Sequence, residues 1–200
     1  MRLRDAVMRP RLAMVLVALC IGVGAWPRAG AEPVTYVLDP SHTQVTWEVM
    51  HLGTSTMRGR FNRIQGHVVL DRVAKTGELS VQIDTGSVSS GVAPLDSLLR
   101  RSDMLASEAH PVAYFVARRF AFDGDRPSAV RGEFTLRGTS LPLELRALRF
   151  NCHAHPMLQR EVCGGDFEGE LQRSDYGINH SLPFVADTVR LLIQAEGIRR

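Results

Sequence analysis

Aromatic side chains make up only 6% of this chain, too few for the stacking surface that single-stranded nucleic acid requires. Its catalytic signatures are missing as well. There is no G-x-S-x-G elbow, no H-E-x-x-H, no Walker A loop and no G-x-G-x-x-G turn, so the usual hydrolase, zinc-protease and nucleotide readings have no foothold. Excess charge is also lacking once its distribution is considered. The full chain carries +3, but residues 1–31 hold five of its 24 basic and one of its 21 acidic residues. The remainder has 19 basic and 20 acidic residues, a net charge of −1. A partner rich in phosphate needs a cationic surface, so nucleic acid is excluded as a partner.

No apolar run is long enough for a membrane span. Residues 12–26, LAMVLVALCIGVGAW, number 15, against about 20 for a helix that crosses a bilayer. Arg2, Arg4, Arg9 and Arg11 precede this run, and Ala29-Gly30-Ala31 follows it. A charged start, a short apolar core and small residues at the end describe a secretory leader cleaved after Ala31. An uncleaved anchor and a lipoprotein attached through Cys20 are the alternatives, the latter opposed by bulky Leu19 before the cysteine. The mature unit expected is residues 32–200, read as one periplasmic domain because no linker or repeat divides it.

Of three cysteines, Cys152 and Cys163 remain after cleavage, bounding CHAHPMLQREVC. In an oxidising compartment a disulfide is the expectation, worth about 3 kcal/mol for a loop of this size. A zinc or copper site formed with His153 and His155 is the competing reading.

What is present is period-two alternation. Val45, Trp47 and Val49 alternate with Thr46, Glu48 and Met50. Leu79, Val81 and Ile83 do the same, as do Val130, Phe134 and Leu136, and Val189, Leu191 and Ile193. About ten short strands follow from this. One stretch differs: residues 94–106, PLDSLLRRSDMLA, place Leu95, Leu98, Leu99 and Leu105 at helical spacing after an N-terminal proline, which predicts one short amphipathic helix. An all-β chain of this kind is expected to close into an antiparallel barrel of about eight strands, with the helix as a lid; a β-sandwich is the alternative. Asp39, Ser41, His42, Ser174 and Asp175 supply hydroxyl, carboxylate and imidazole groups, but short polar residues at strand ends more often cap turns.

The segment YVLDPSHTQVTWEVMHLGTSTMRGRFNRIQGHVVLD resembles the opening of YceI-like proteins through Tyr36, Asp39, Ser41, His42, Trp47, His51, Gly59, Phe61 and Gly66. LDSLLRRSDMLASEAHPVAYF is similar to the family's helix-plus-strand segment through Asp96, Leu99, Ser102, Asp103, Pro111 and Phe115. VRGEFTLRGTSLPLEL resembles its G-x-L-T hairpin, with Phe134 where Leu is usual, and Arg173, Ser174, Asp175, Tyr176 and Gly177 match its R-S-D-aromatic-G motif. The CHAHPMLQREVC insertion lies outside the general pattern. The resemblance implies a lipocalin-like barrel exported to the periplasm, with no established enzymatic activity and no cofactor. In some members it holds a long polyisoprenoid or other amphiphile.

On this reading the ligand is a long-chain isoprenoid, an isoprenoid quinone or a similar fatty amphiphile. Trp47, Val49, Phe61, Val81, Ile83, Tyr114, Val116, Phe134 and Leu136 are the expected wall, with His51 at its edge and Leu98, Leu99 and Leu105 in the lid. A solid core built from the same residues is the alternative. Transient contact with a membrane or membrane protein, and a homodimer through the barrel surface, are the further partners considered. The rival function is a metal-dependent or hydrolytic enzyme that uses His51 or the Cys152–Cys163 loop; an adaptor that presents this loop to a membrane partner is a third.

Overall fold

Alternation builds strands, and here every strand joins one sheet that closes on itself. The computed structural model describes residues 32–200; the leader expected over 1–31 lies outside them. The strands are β1 (Val34–Leu38), β2 (Gln44–His51), β3 (Ser55–Phe61), β4 (Ile64–Asp71), β5 (Thr76–Asp84), β6 (Val88–Ser89), β7 (Val112–Asp123), β8 (Arg126–Leu136), β9 (Thr139–His155), β10 (Arg160–Gln172) and β11 (Val185–Arg199), with one α-helix, α1 (Ala93–Leu99). All pairings are antiparallel, and the order β1-β4-β5-β7-β8-β9-β10-β11 returns to β1, a closed ring of eight. Closure leaves no pair of facing sheets, so the sandwich alternative falls.

The three extra strands belong to the same ring. β1 and β2, β3 and β4, and β5 and β6 are successive halves of bent strands. The far half of β11 pairs with β1, its near half with β2, and β3 pairs with β6 beyond. The bends lie side by side and are stitched by Ser87. Its hydroxyl donates to the Asp84 carbonyl at 2.6 Å and accepts from the Asn62 and Arg63 amides at 3.1 and 3.0 Å. Broken ladders would otherwise leave those groups unpaired. At the first bend the Asp39 carboxylate accepts from Ser41 and pairs with His42 Nδ1 at 2.6 Å, and the His42 and Ser41 bonds hold its pKa down to about 2.

The ends of the barrel differ. At the lid end lie the turn at 52–54, α1, the turn at 137–138 and the segment 173–184. At the far end lie the turns at 72–75, 124–125 and 156–159. The helix is shorter than its leucine spacing predicts. Past Leu99 the chain folds into turns, with the Leu105 amide on the Leu99 carbonyl at 3.0 Å, and Arg137 donates to the Ser102 and Met104 carbonyls. This lowers Leu105 into the barrel, where it is buried.

Gly59 is required by close approach. It stands directly across from Trp47, and a Cβ there would overlap the indole ring. Gly59→Ala is therefore expected to cost about 2 kcal/mol by overpacking, read as a lower urea midpoint with unchanged slope. An unchanged midpoint would show that the ring moves aside freely.

Candidate ligand-binding cavity

The inward side chains do not fill the barrel. They enclose a cavity of about 430 Å³, within the roughly 300–1,000 Å³ typical of small-molecule sites. Leu95, Leu98 and Leu99 of α1 lie at one end and Tyr36, Phe150 and Cys163 at the other. Along β11 the wall runs from Val185 to Gly197, on the order of 40 Å of strand and about 30 Å along the axis of a tilted barrel. The solid-core alternative is set aside by this space.

Of the expected wall, Trp47, Val49, Phe61, Val81, Ile83, Phe134 and Leu136 face the cavity, as do His51 at the end of β2 and Leu98, Leu99 and Leu105 at the lid. Tyr114 and Val116 do not. They stand on the outer surface of β7, 41% and 46% exposed, and Ala113, Phe115 and Ala117 point inward instead. Both phases of this strand are apolar, so alternation carried no direction. The smaller set faces in, with Ala113 and Phe115 on the cavity lining and Ala117 buried in the core.

CHAHPMLQREVC is less a loop than the end of a hairpin. β9 continues to His155 and β10 begins at Arg160, so Cys152 and Cys163 sit directly opposite and form a disulfide with Cα atoms 4.1 Å apart. With Glu161 they are the three-donor cluster found among the described residues. Both sulfurs are bonded to each other, so no thiolate is free to ligate a metal while the disulfide stands. His51 joins no such donor cluster among the described residues.

The hydrolytic arrangement is not assembled either. Ser41 Oγ donates to Asp39, and the same His42 Nδ1 that bonds Asp39 is the nitrogen nearest Ser41. A triad needs the second imidazole nitrogen on the hydroxyl. Ser174 Oγ donates to Asp187 at 2.6 Å, a turn contact that also holds the Asp187 carboxyl below its usual range.

Polar groups at the two ends of the cavity differ in their partners. At the far end the Tyr36 hydroxyl donates to Glu161 Oε2 at 2.7 Å, with Arg72 and Arg199 nearby. Burial, then the Glu161 bond, push the phenol up to about 12. The folded state thus keeps a proton that the unfolded chain releases near pH 10, so stability should fall as pH rises from 10 to about 12. Burial also raises the Tyr176 phenol, so Tyr36→Phe should lessen that slope in alkaline urea titrations; an unchanged slope would place the sensitivity elsewhere.

At the lid end Arg173 is 5% exposed and lines the cavity. Its guanidinium donates to the backbone carbonyls of Ala186, Ile178, His180 and Val185 at 2.8–2.9 Å. This ties the segment before β11 to the 3-10 turn Arg173–Tyr176. Burial pushes its pKa down, with Asp187 opposing. The sequence marked Arg173 only through its motif; His180 and Ser181, which also reach the cavity, carried no signal.

These features match a known pattern. The YceI-like domain model fits residues 36–197. The chain belongs to the YceI-like family. A "UPF0312 protein" of Pseudomonas aeruginosa is 30% identical over 197 residues, spanning 94% of this chain and all of the relative. Among solved structures, Burkholderia cenocepacia BcnA aligns with a TM-score of 0.65 at 18% identity, over 80% of this chain and 98% of that one. A polyisoprenoid binding domain from Saccharophagus degradans, implicated in plant cell wall breakdown, aligns at 0.58 and 15% identity, over 84% of this chain and 99% of that one. At those identities the structures speak to the shared YceI-like fold.

Proposed function

We propose that this YceI-like protein is an exported, non-catalytic carrier that holds a long-chain apolar ligand, an isoprenoid or similar amphiphile, inside its barrel. The observation that carries this reading is the length of the predominantly apolar wall. A chain held there gains about 0.8 kcal/mol per buried methylene without any reacting group. The family membership and the polyisoprenoid-binding neighbour support the same class of ligand. The Cys152–Cys163 disulfide supports an oxidising compartment. Among the described residues no helix is long and apolar enough to cross a membrane.

A fluorescent polyene fatty acid tests the reading. It should bind the purified protein at one site and be displaced by a polyprenol. Failure of both to bind would remove the carrier assignment.

A carrier must also collect its cargo from a bilayer. Leu52 and Phe184 are 58% and 64% exposed on neighbouring lid-end turns, joined by the Leu52 amide on the Phe184 carbonyl at 2.7 Å. Each is next in sequence to a cavity residue, His51 and Val185. In this reading the pair dips into the membrane as the lid opens. Replacing both with serine should slow ligand exchange with phosphatidylglycerol-containing vesicles about tenfold, with equilibrium affinity unchanged. An unaltered exchange rate would place the docking surface elsewhere.

A further inference from the structure

A guanidinium has five N–H donors. Arg173 spends four: Nε on Ala186, both Nη1 hydrogens on Ile178 and His180, and one Nη2 hydrogen on Val185. One Nη2 hydrogen is left, on a side chain that is 5% exposed and lines the cavity. Among the described residues no carboxylate lies within 4.0 Å of it as an ion-pair partner. The nearby Asp187 already accepts the Ser174 amide at 2.8 Å and the Ser174 hydroxyl at 2.6 Å. Buried charge is tolerated when its donors are satisfied, and here one donor and the charge itself are still to be answered.

The other polar groups that line the cavity sharpen this asymmetry. His51, Ser181 and His180 make no side-chain hydrogen bond among the described residues, although His180 Nδ1 lies 3.1 Å from Asp103 Oδ2. At the middle and far end, Thr43 donates to the Glu196 carbonyl at 3.3 Å and Tyr36 to Glu161. Spare hydrogen-bonding capacity is therefore confined to the lid end, beneath α1.

We infer that the ligand enters tail first and carries an oxygen-accepting head group, a carboxylate, phosphate or carbonyl, which rests under the lid against Arg173, His51, His180 and Ser181. The inference rests on the carrier reading and adds the head's chemistry and the ligand's direction. A pure hydrocarbon would leave the fifth Arg173 donor unanswered. A charge-assisted hydrogen bond is worth about tenfold or more in affinity, so the head decides among chains of equal length.

Phytane, phytanic acid and phytanyl phosphate share one saturated branched chain and differ only in the head. The acid and the phosphate should bind at least about tenfold tighter than phytane, and whichever is tighter identifies the source of the oxygen. The Arg173 side-chain nitrogen signals should shift with the acid and stay in place with phytane. His51→Phe, which leaves the Arg173 backbone contacts intact, should narrow the preference. Stearic acid with a nitroxide near its carboxyl should broaden amide signals of α1 and Ser181, and the same acid labelled near its methyl end those around Cys163. Equal affinities, or the reverse broadening pattern, overturn the head-group assignment while leaving the carrier reading in place. Absence of binding by every probe overturns both.

Discussion

Ala113→Trp should nearly abolish ligand binding in a protein that still folds. Ala113 is 2% exposed on β7 and its methyl group faces the cavity just inside the lid. An indole there would reach into the cavity that Ala113 lines. If it excludes about four methylenes of the ligand at about 0.8 kcal/mol each, affinity drops roughly 200-fold. The measurement is displacement of a fluorescent polyene fatty acid, alongside circular dichroism and a thermal melt. Undiminished affinity in a folded variant would mean that the ligand lies somewhere other than in the barrel.

Arg173→Met should be the most destabilising single change at the lid end. It keeps much of the aliphatic stem and removes the donors to four backbone carbonyls. Two of those acceptors, on Ile178 and His180, lie in the stretch between the 3-10 turn and β11, and two, on Val185 and Ala186, begin β11 itself. Bonds to a charged donor count for more than neutral ones, and buried carbonyls without partners are costly. A loss of at least about 4 kcal/mol follows. Urea unfolding measures it. Hydrogen exchange should show residues 177–186 opening before the rest of β11. A loss under about 1 kcal/mol would show that water replaces the guanidinium and that the clamp is dispensable.

Much of this architecture was legible because alternation is a strong signal wherever only one phase is apolar. Trp47 on β2, and Phe134 and Leu136 on β8, have polar neighbours, and they point where alternation sends them. β7 shows where that signal ends. Val112, Tyr114 and Val116 are as apolar as Ala113, Phe115 and Ala117, and the direction shows only in the register of the closed ring, which buries the second set. The bends in the first three strands were invisible because Ser87 and Asn62 look like ordinary turn residues; their role comes from lying side by side in the closed ring. The hairpin that carries Cys152 and Cys163 was masked by His-Ala-His-Pro, which breaks the pattern at the tip. Arg173 was legible only as part of a motif, since nothing local shows that a charged side chain will be buried among carbonyls.

The central claim is that the barrel encloses an oily molecule. Native mass spectrometry of protein purified from its own host under gentle conditions, followed by solvent extraction, tests it most directly. The account predicts a bound mass in one-to-one ratio, released by solvent and identified as a long-chain lipid with an oxygen-bearing head. A homogeneous ligand-free mass, unchanged after incubation with host lipids, would contradict it.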